Sequence, residues 1–336
     1  MRPFEYAAPR TEAEAVGLLA AKDRQTEILA GGTDLIGLMK QMIVTPSRVV
    51  NIKEIPSMQG VSQTSEGILI GAATRLEDIA RATLLAPYPA LADAIAGIDS
   101  QQWQAQSTLG GELLQRPRCW YFRSGAGLLA QNGQKVAAGD SRFHAIFANS
   151  GPAKFVSATR LAPALICLGA KARILKPGKE DPESDDPETQ TCLVSELYRT
   201  PRDESQRENV LSQGQLVTHI LIPHGKELAN ATYEVRHGSG PEAPLVTAAA
   251  ALRIEAGIVT DAKVVLSQVA PQPWNSREAA ESIIGRPVDL VTAEEAGRMA
   301  VAAASPLKDN RYKVQLAAVA VKRAILKAAG QPTGGI

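Results

Sequence analysis

"ILAGGTDLIGLMK", residues 28–40, is the stretch from which the fold is read. The apolar run Ile28-Leu29-Ala30 stops at Gly31-Gly32, passes through Thr33 and Asp34, and resumes at Leu35 with amphipathic spacing. That order spells a strand, a tight turn and a helix start. The turn either merely reverses the chain or lays backbone N–H groups against a phosphate, since glycine supplies both unusual φ angles and an absent side chain. On the N-terminal side, Thr11 and Glu14 have capping-box spacing and open a helix Thr11–Lys22. With strands at Glu27–Ala30 and Val49–Ile52, the stretch reads as a small α/β unit.

A second block begins with strand Ile68–Ile70, after which Thr74 and Glu77, again spaced as a capping box, open helix Leu76–Ala82. Helix Pro89–Ala96 leads to a second glycine turn, Thr108-Leu109-Gly110-Gly111-Glu112. Residues 123–152 read as one long loop, of the length usually found in functional or disordered segments. Helix Ala162–Leu168 and strands Ala172–Leu175 and Leu216–Ile222 follow. Between them "KPGKEDPESDDPETQ", 176–190, is acidic, proline-rich and without an apolar anchor, hence a solvated excursion. "PHGKELANA" reads as a connection and the tail "GQPTGGI" as disordered. From residue 231, strands Thr232–Arg236, Val246–Glu255 and Ala262–Gln268 precede helices at 276–284, 292–304 and 311–328, which is α+β order.

Composition narrows the classes. The 336 residues suit two or three domains, and 45% hydrophobic with 21% charged residues is ordinary for a globular protein. A net charge of +1 gives no electrostatic case for nucleic acid or an acidic membrane. The apolar runs are far shorter than the ~20 residues of a membrane span, and the first residues lack the apolar region of a secretory signal. Three cysteines argue against a disulfide framework and make a cytoplasmic location the default. The four histidines (144, 219, 224 and 237) have no metal-binding spacing, and no nucleophile elbow is present. Neither glycine turn fits GxGxxG or GxxxxGK[ST], so spacing alone leaves both readings of the turns open.

Six segments in order carry a resemblance: "AGGTDL", "TLGGELLQRPRCWYFR", "RFHAIF", "LAPALICLGAKARI", "VAPQPW" and "NRYKVQLAAVAVKRAIL". Together they resemble the FAD-binding medium subunit of the molybdenum hydroxylases, the xanthine dehydrogenase and carbon monoxide dehydrogenase family, over about residues 3–328. The resemblance implies an α+β chain. Residues 1–57 and 58–225 would be the two lobes of a vanillyl-alcohol-oxidase-type FAD domain, and 228–330 the C-terminal domain, antiparallel strands then helices. It implies FAD as cofactor, held at Leu29, Ala30, Gly31, Gly32, Thr33, Asp34 and Leu35 and at Thr108, Gly110, Gly111 and Glu112, with Leu161 as a flavin contact. It further implies a molybdopterin-binding large subunit and a [2Fe–2S] small subunit as partners. Electrons would pass through FAD to an acceptor that the chain does not specify, with no general base and no membrane span in this chain.

Four positions depart from the family pattern. Where the family reads "IRNxATIGGN", this chain has "WQAQSTLGGE", so Gln104, Ala105 and Glu112 replace Arg, Asn and Asn. Arg160 replaces the usual aspartate of "SDLAPAL". A carboxylate at Glu112 repels a diphosphate unless it is turned away or paired; Arg160 could offset it, or stand in for the cation lost at Gln104. These changes motivate an alternative, a structural or assembly subunit whose flavin site has decayed. A self-contained FAD oxidase has no supporting acid–base set. Cys119 is a lone remnant of the ligands that hold an iron–sulfur cluster in some relatives, and a four-iron cluster needs about four thiolates, so none is expected. Some relatives reach the periplasm with a partner, which is the alternative location. Of Trp120, Tyr121 and Phe122, at least one is expected in the core, and Arg311 and Lys313 are expected at a solvated or subunit-facing surface.

Overall fold

A computed structural model describes residues 1–178, 187–224, 228–238, 240 and 242–334. Three sheets organise it. In the first, strands β1 (Glu5–Ala7), β2 (Thr26–Leu29) and β3 (Arg48–Asn51) lie parallel in the order β1-β3-β2, linked through helices α1 (Glu12–Ala20) and α2 (Leu35–Lys40). Parallel neighbours require such crossovers, so the α/β reading of this stretch follows from the turn at Gly31. Thr11 caps α1 by accepting the Glu14 N–H at 3.1 Å. The Glu14 carboxylate answers one residue early, taking the Arg10 N–H at 2.9 Å. Buried Ala15, Val16 and Leu19 form the stripe by which α1 joins the core.

The second sheet is antiparallel, in the order β4 (Val61–Gln63), β5 (Gly67–Gly71), β8 (Leu216–Pro223), β6 (Lys171–Lys176) and β7 (Glu188–Leu193). Its centre pairs β5 with β8, which are distant in sequence, closing one core that runs from α1 to β8. Around it lie helices α3 (Leu76–Arg81), α4 (Pro89–Ala96), α5 (Gln101–Gln106), α6 (Leu109–Leu113), α7 (Trp120–Arg123), α8 (Gln134–Ala138) and α9 (Leu161–Cys167). The expected cap at Thr74 is absent. Helix α3 starts after Arg75, and the Thr74 hydroxyl donates instead to the Gly60 carbonyl at 3.1 Å. Most of the acidic excursion and part of "PHGKELANA" and of the tail lie outside the described residues.

The third sheet, β12 (Trp274–Asn275), β11 (Ile258–Ser267), β10 (Val246–Glu255) and β9 (Ala229–Val235), is antiparallel and is followed by helices α10 (Arg277–Ile283), α11 (Leu290–Ala300) and α12 (Tyr312–Ala328). Strand β10 is buried on both faces. Val246, Ala248, Ala250 and Leu252 join the core that holds Ala317, Val321 and Ala324, while Ala249 and Ala251 join the core that holds Leu161 and Leu165. Side chains alternate along a strand, so a run of alanines suits a strand covered by helices on both sides. Among the described residues no helix is long and apolar enough to cross a membrane.

Residues 123–152 are mostly irregular, apart from α8. Phe122, Leu128, Leu129 and Phe155 pack with Leu38 into a small core of their own, which places Phe122 among the buried aromatics. The Glu204 carboxylate accepts the N–H groups of Leu128 and Leu129, both at 2.9 Å, and holds the segment down.

Lys313 is not a surface residue. It is 1% exposed, and its ammonium donates to the carbonyls of Gln268 and His144, with no carboxylate partner among the described residues. Burial pushes its pKa down to about 7. A base held below its unfolded value of 10.5 contributes stability that is present above that value and is lost as pH falls through about 7. Urea unfolding should therefore show the wild type gaining stability between pH 7 and 10 relative to Lys313→Met; parallel pH profiles for the two proteins would refute the assignment.

Candidate cofactor site

Both glycine turns sit at the junction of the first and second sheets, and they touch. A Cβ added at Gly31 would lie 2.0 Å from the Gln106 carbonyl oxygen and 3.0 Å from the Ser107 Cα. Gly32 has φ +72°, in the left-handed region that side chains avoid. The Ser107 hydroxyl donates to the Thr33 hydroxyl at 3.1 Å, a direct tie between the two turns.

The turns differ in what they offer. Among the described residues, the N–H groups of Gly31, Gly32, Thr33, Asp34 and Leu35 have no acceptor. Five consecutive free donors form a concave cradle for an anion. In the second turn the donors from Leu109 to Glu112 are used within the protein: Leu109 N–H goes to the Thr74 carbonyl, Gly110 N–H to the Ala72 carbonyl at 2.8 Å, Gly111 N–H to the Thr108 hydroxyl at 3.3 Å, and Glu112 N–H to the Thr108 carbonyl at 2.9 Å. The second turn thus contributes close approach and bulk-free surface, and the first contributes the free donors.

Asp34 adds no repulsion to this cradle. Its carboxylate accepts the Arg116 N–H at 2.8 Å and pairs with the Arg123 guanidinium at 2.7 Å. Glu112 is turned away. It is 6% exposed and accepts from the Thr159 hydroxyl at 2.7 Å, the N–H groups of Arg160 and Leu161 at 2.6 and 3.3 Å, and the Gln115 side chain at 3.0 Å. Burial raises its pKa against these bonds. The Arg160 guanidinium finds its hydrogen bonds away from the turns: it reaches the carbonyls of Gly97 and Glu242 and lies 3.6 Å from Glu234. The Gln104 side chain closes the end of α4 through the Ile95 and Ile98 carbonyls. Of the two roles open to Arg160, it serves the first, through its backbone N–H bond to Glu112 and through the attraction of its guanidinium, which works against the rise that burial causes in the Glu112 pKa.

A cavity of about 850 Å³ opens at the turns. Ala30, Gly31, Gly32, Thr33, Asp34, Leu35, Thr108, Gly110 and Gly111 line it, together with segments 22–28 and 207–217. Leu29, Glu112 and Leu161 do not line it; Leu161 is fully buried in the main core. Sites for a large cofactor commonly span about 300–1,000 Å³. Sequence reading missed Ser107, Arg116 and Arg123, and it missed the 207–217 wall altogether. Ser107 adjoins the second turn and was legible there; the other contacts depend on tertiary approach.

Cys119 lies 3.2 Å from the His144 Nε2. Burial raises the thiol, and burial together with Lys313 pushes the imidazole down to about 4, so both groups are neutral at pH 7. Trp120 packs edge-on against Phe143 at 5.3 Å, and His144 fills a local aromatic cluster. Cys167 is buried, with its pKa pushed up to about 12 by desolvation.

Residues 2–225 match the family model described as the FAD binding domain in molybdopterin dehydrogenase, and residues 231–328 match the CO dehydrogenase flavoprotein C-terminal domain. The chain is 28% identical to the aldehyde oxidoreductase FAD-binding subunit PaoB of Escherichia coli over 94% of its own length and 95% of that subunit. It is 24% identical to the carbon monoxide dehydrogenase medium chain of Afipia carboxidovorans, covering 97% of this chain and 96% of that one. Among solved structures, it shares its fold with a chain of a Cu,Mo-CO dehydrogenase (TM-score 0.75, 22% identity, 99% and 100% coverage). A chain of quinoline 2-oxidoreductase from Pseudomonas putida 86 is as similar (TM-score 0.75, 21% identity, 98% of each chain).

Proposed function

The chain belongs to the family of FAD-binding domains of molybdopterin dehydrogenases, and from that premise we propose that it is the electron-transfer subunit of a molybdenum hydroxylase complex, passing electrons from an iron–sulfur partner through FAD to an external acceptor. It is an oxidoreductase subunit, and FAD is the cofactor of its family. The names of its relatives, "medium chain" and "FAD-binding subunit", speak of multi-subunit enzymes. In this reading the partners are a molybdopterin-binding large subunit and a [2Fe–2S] small subunit.

One observation carries the reading: five free backbone donors at residues 31–35 facing a cavity of about 850 Å³. They match a diphosphate, which needs donors without a competing side chain. Bound FAD supplies the redox chemistry. The protein's own work is to bind and orient: the first turn would hold the diphosphate, Arg123 and Arg116 keep Asp34 aimed away, and Gly110 and Gly111 leave room. The carboxylate that motivated a decayed site, Glu112, is consumed in packing α6 against α9, so it does not oppose the anion.

Purified full-length chain should carry yellow flavin, absorbing near ~450 nm, at about one per polypeptide. A colourless chain that ignores added FAD would count for the structural-subunit alternative. Substrate should not bleach the flavin when the chain is alone; reduction without partners would make it a self-contained oxidase instead.

A further inference from the structure

We propose that Trp103 is the platform on which the flavin ring stacks, in a place held in this structure by the guanidinium of Arg118. The inference rests on the reading above. A diphosphate seated on the amides of residues 31–35 lies in the middle of a dinucleotide, so a ring system must leave on each side of the turns. On one side is the cavity of about 850 Å³. On the other is a recess that shares Thr33, Asp34, Gly111 and Gln115 with that cavity and adds Trp103 and Arg118. It retains about 30 Å³, room for a water molecule and not for a three-ring system.

Arg118 fills the recess and is lightly held. Its Cζ lies 5.1 Å from the Trp103 ring centroid, a planar cation over an indole face. Its hydrogen-bond partner is the Gln115 side-chain oxygen, at 3.2 and 3.4 Å, and among the described residues it has no carboxylate within ion-pair distance. A flexible, exposed side chain in that position can swing out and surrender the indole to a flat ligand.

Charge says which end of the dinucleotide goes there. The guanidiniums lining the large cavity are all paired: Arg24 with Glu5 and Asp23, Arg116 with Glu208, and Arg207 with Glu27. Lys22 is the other cation lining that cavity; adenosine carries no charge and needs none of these cations, so it suits the large cavity. The flavin ring gains electrons in turnover, and an unpaired cation beside it favours the reduced form. Arg118 is such a cation, first as an occupant of the platform and then as a neighbour of the ring.

The test titrates flavin-free full-length chain with FAD and, separately, with ADP, following heat and tryptophan emission. ADP reports the diphosphate cradle and the large cavity; FAD reports those and the platform. Trp103→Leu should weaken FAD about tenfold or more, as loss of a stacking face does, and leave ADP unchanged. Arg118→Ala should tighten FAD several-fold, again without moving ADP. FAD, and not ADP, should quench an emission component that Trp103→Phe removes. Equal weakening of both ligands by Trp103→Leu, weakening of ADP alone, or no change in either would overturn the proposal. Should the leucine variant not fold, the Arg118→Ala affinity and the quenching decide it. A wild type that binds neither FAD nor ADP defeats the functional reading itself; a wild type that binds both, with variants indifferent, defeats this inference alone.

Discussion

Gly31→Ala is expected to leave the chain without flavin and less stable than wild type by about 2–4 kcal/mol. The added methyl would sit 2.0 Å from the Gln106 oxygen, 2.8 Å from its carbonyl carbon and 3.0 Å from the Ser107 Cα, all of them backbone atoms. No rotamer relieves such a contact. One turn must withdraw from the other, which breaks the Ser107–Thr33 hydrogen bond and opens the mouth of the cradle. Gly37→Ala is the matched control, because a Cβ there meets nothing within 4 Å and the residue lies in helix α2, where alanine is favoured over glycine. Flavin absorbance per polypeptide and the urea midpoint measure both effects. A Gly31→Ala protein with full flavin and an unchanged midpoint would show that contact between the turns is dispensable.

Glu112→Ala is the second large effect, for a different reason. The side chain is buried and takes hydrogen bonds from three segments: its own helix end through Gln115, the Thr159 hydroxyl, and the first N–H groups of α9. Removing the acceptor strands those donors away from water, at about 1–3 kcal/mol each where water cannot enter, so a loss of about 3–4 kcal/mol is expected. Glu112→Gln keeps one acceptor oxygen and should lose roughly half as much. The pH dependence separates this role from a merely steric one. Burial raises the folded pKa of Glu112, so its contribution is fully present below the unfolded value of 4.5 and falls as pH rises through the folded value. The glutamine variant should flatten that part of the stability curve. Unfolding midpoints from pH 4 to 8 test both statements, and identical wild-type and Gln profiles would rule out the titration.

How much was legible in the sequence follows from the range of each interaction. The strand–glycine–helix order at residues 28–40, the Thr11 cap and the strand at Val246–Glu255 are set by residues a few positions apart, and the structure keeps all three. The cap expected at Thr74 failed because spacing alone does not say which residue starts the helix; Arg75 takes that position and Thr74 is drawn to the Gly60 carbonyl by the packing of β4. Lys313 failed for a related reason. A lysine beside Tyr312 and Arg311 reads as solvated, yet the packing of α12 against the 268 and 144 backbones encloses it.

From the residues alone came the α+β order, the two glycine turns, the family resemblance and the suspicion attached to Glu112. Only the tertiary structure decided that the turns meet, that the first keeps its amides free while the second spends them, and that Glu112 faces α9 and not the cradle. The physical reason is that a glycine pair specifies what backbone shapes are allowed, a local property. Whether an N–H is left for a ligand depends on which carbonyl arrives opposite it, and those carbonyls come from Ala72 and Thr74, far away in the chain.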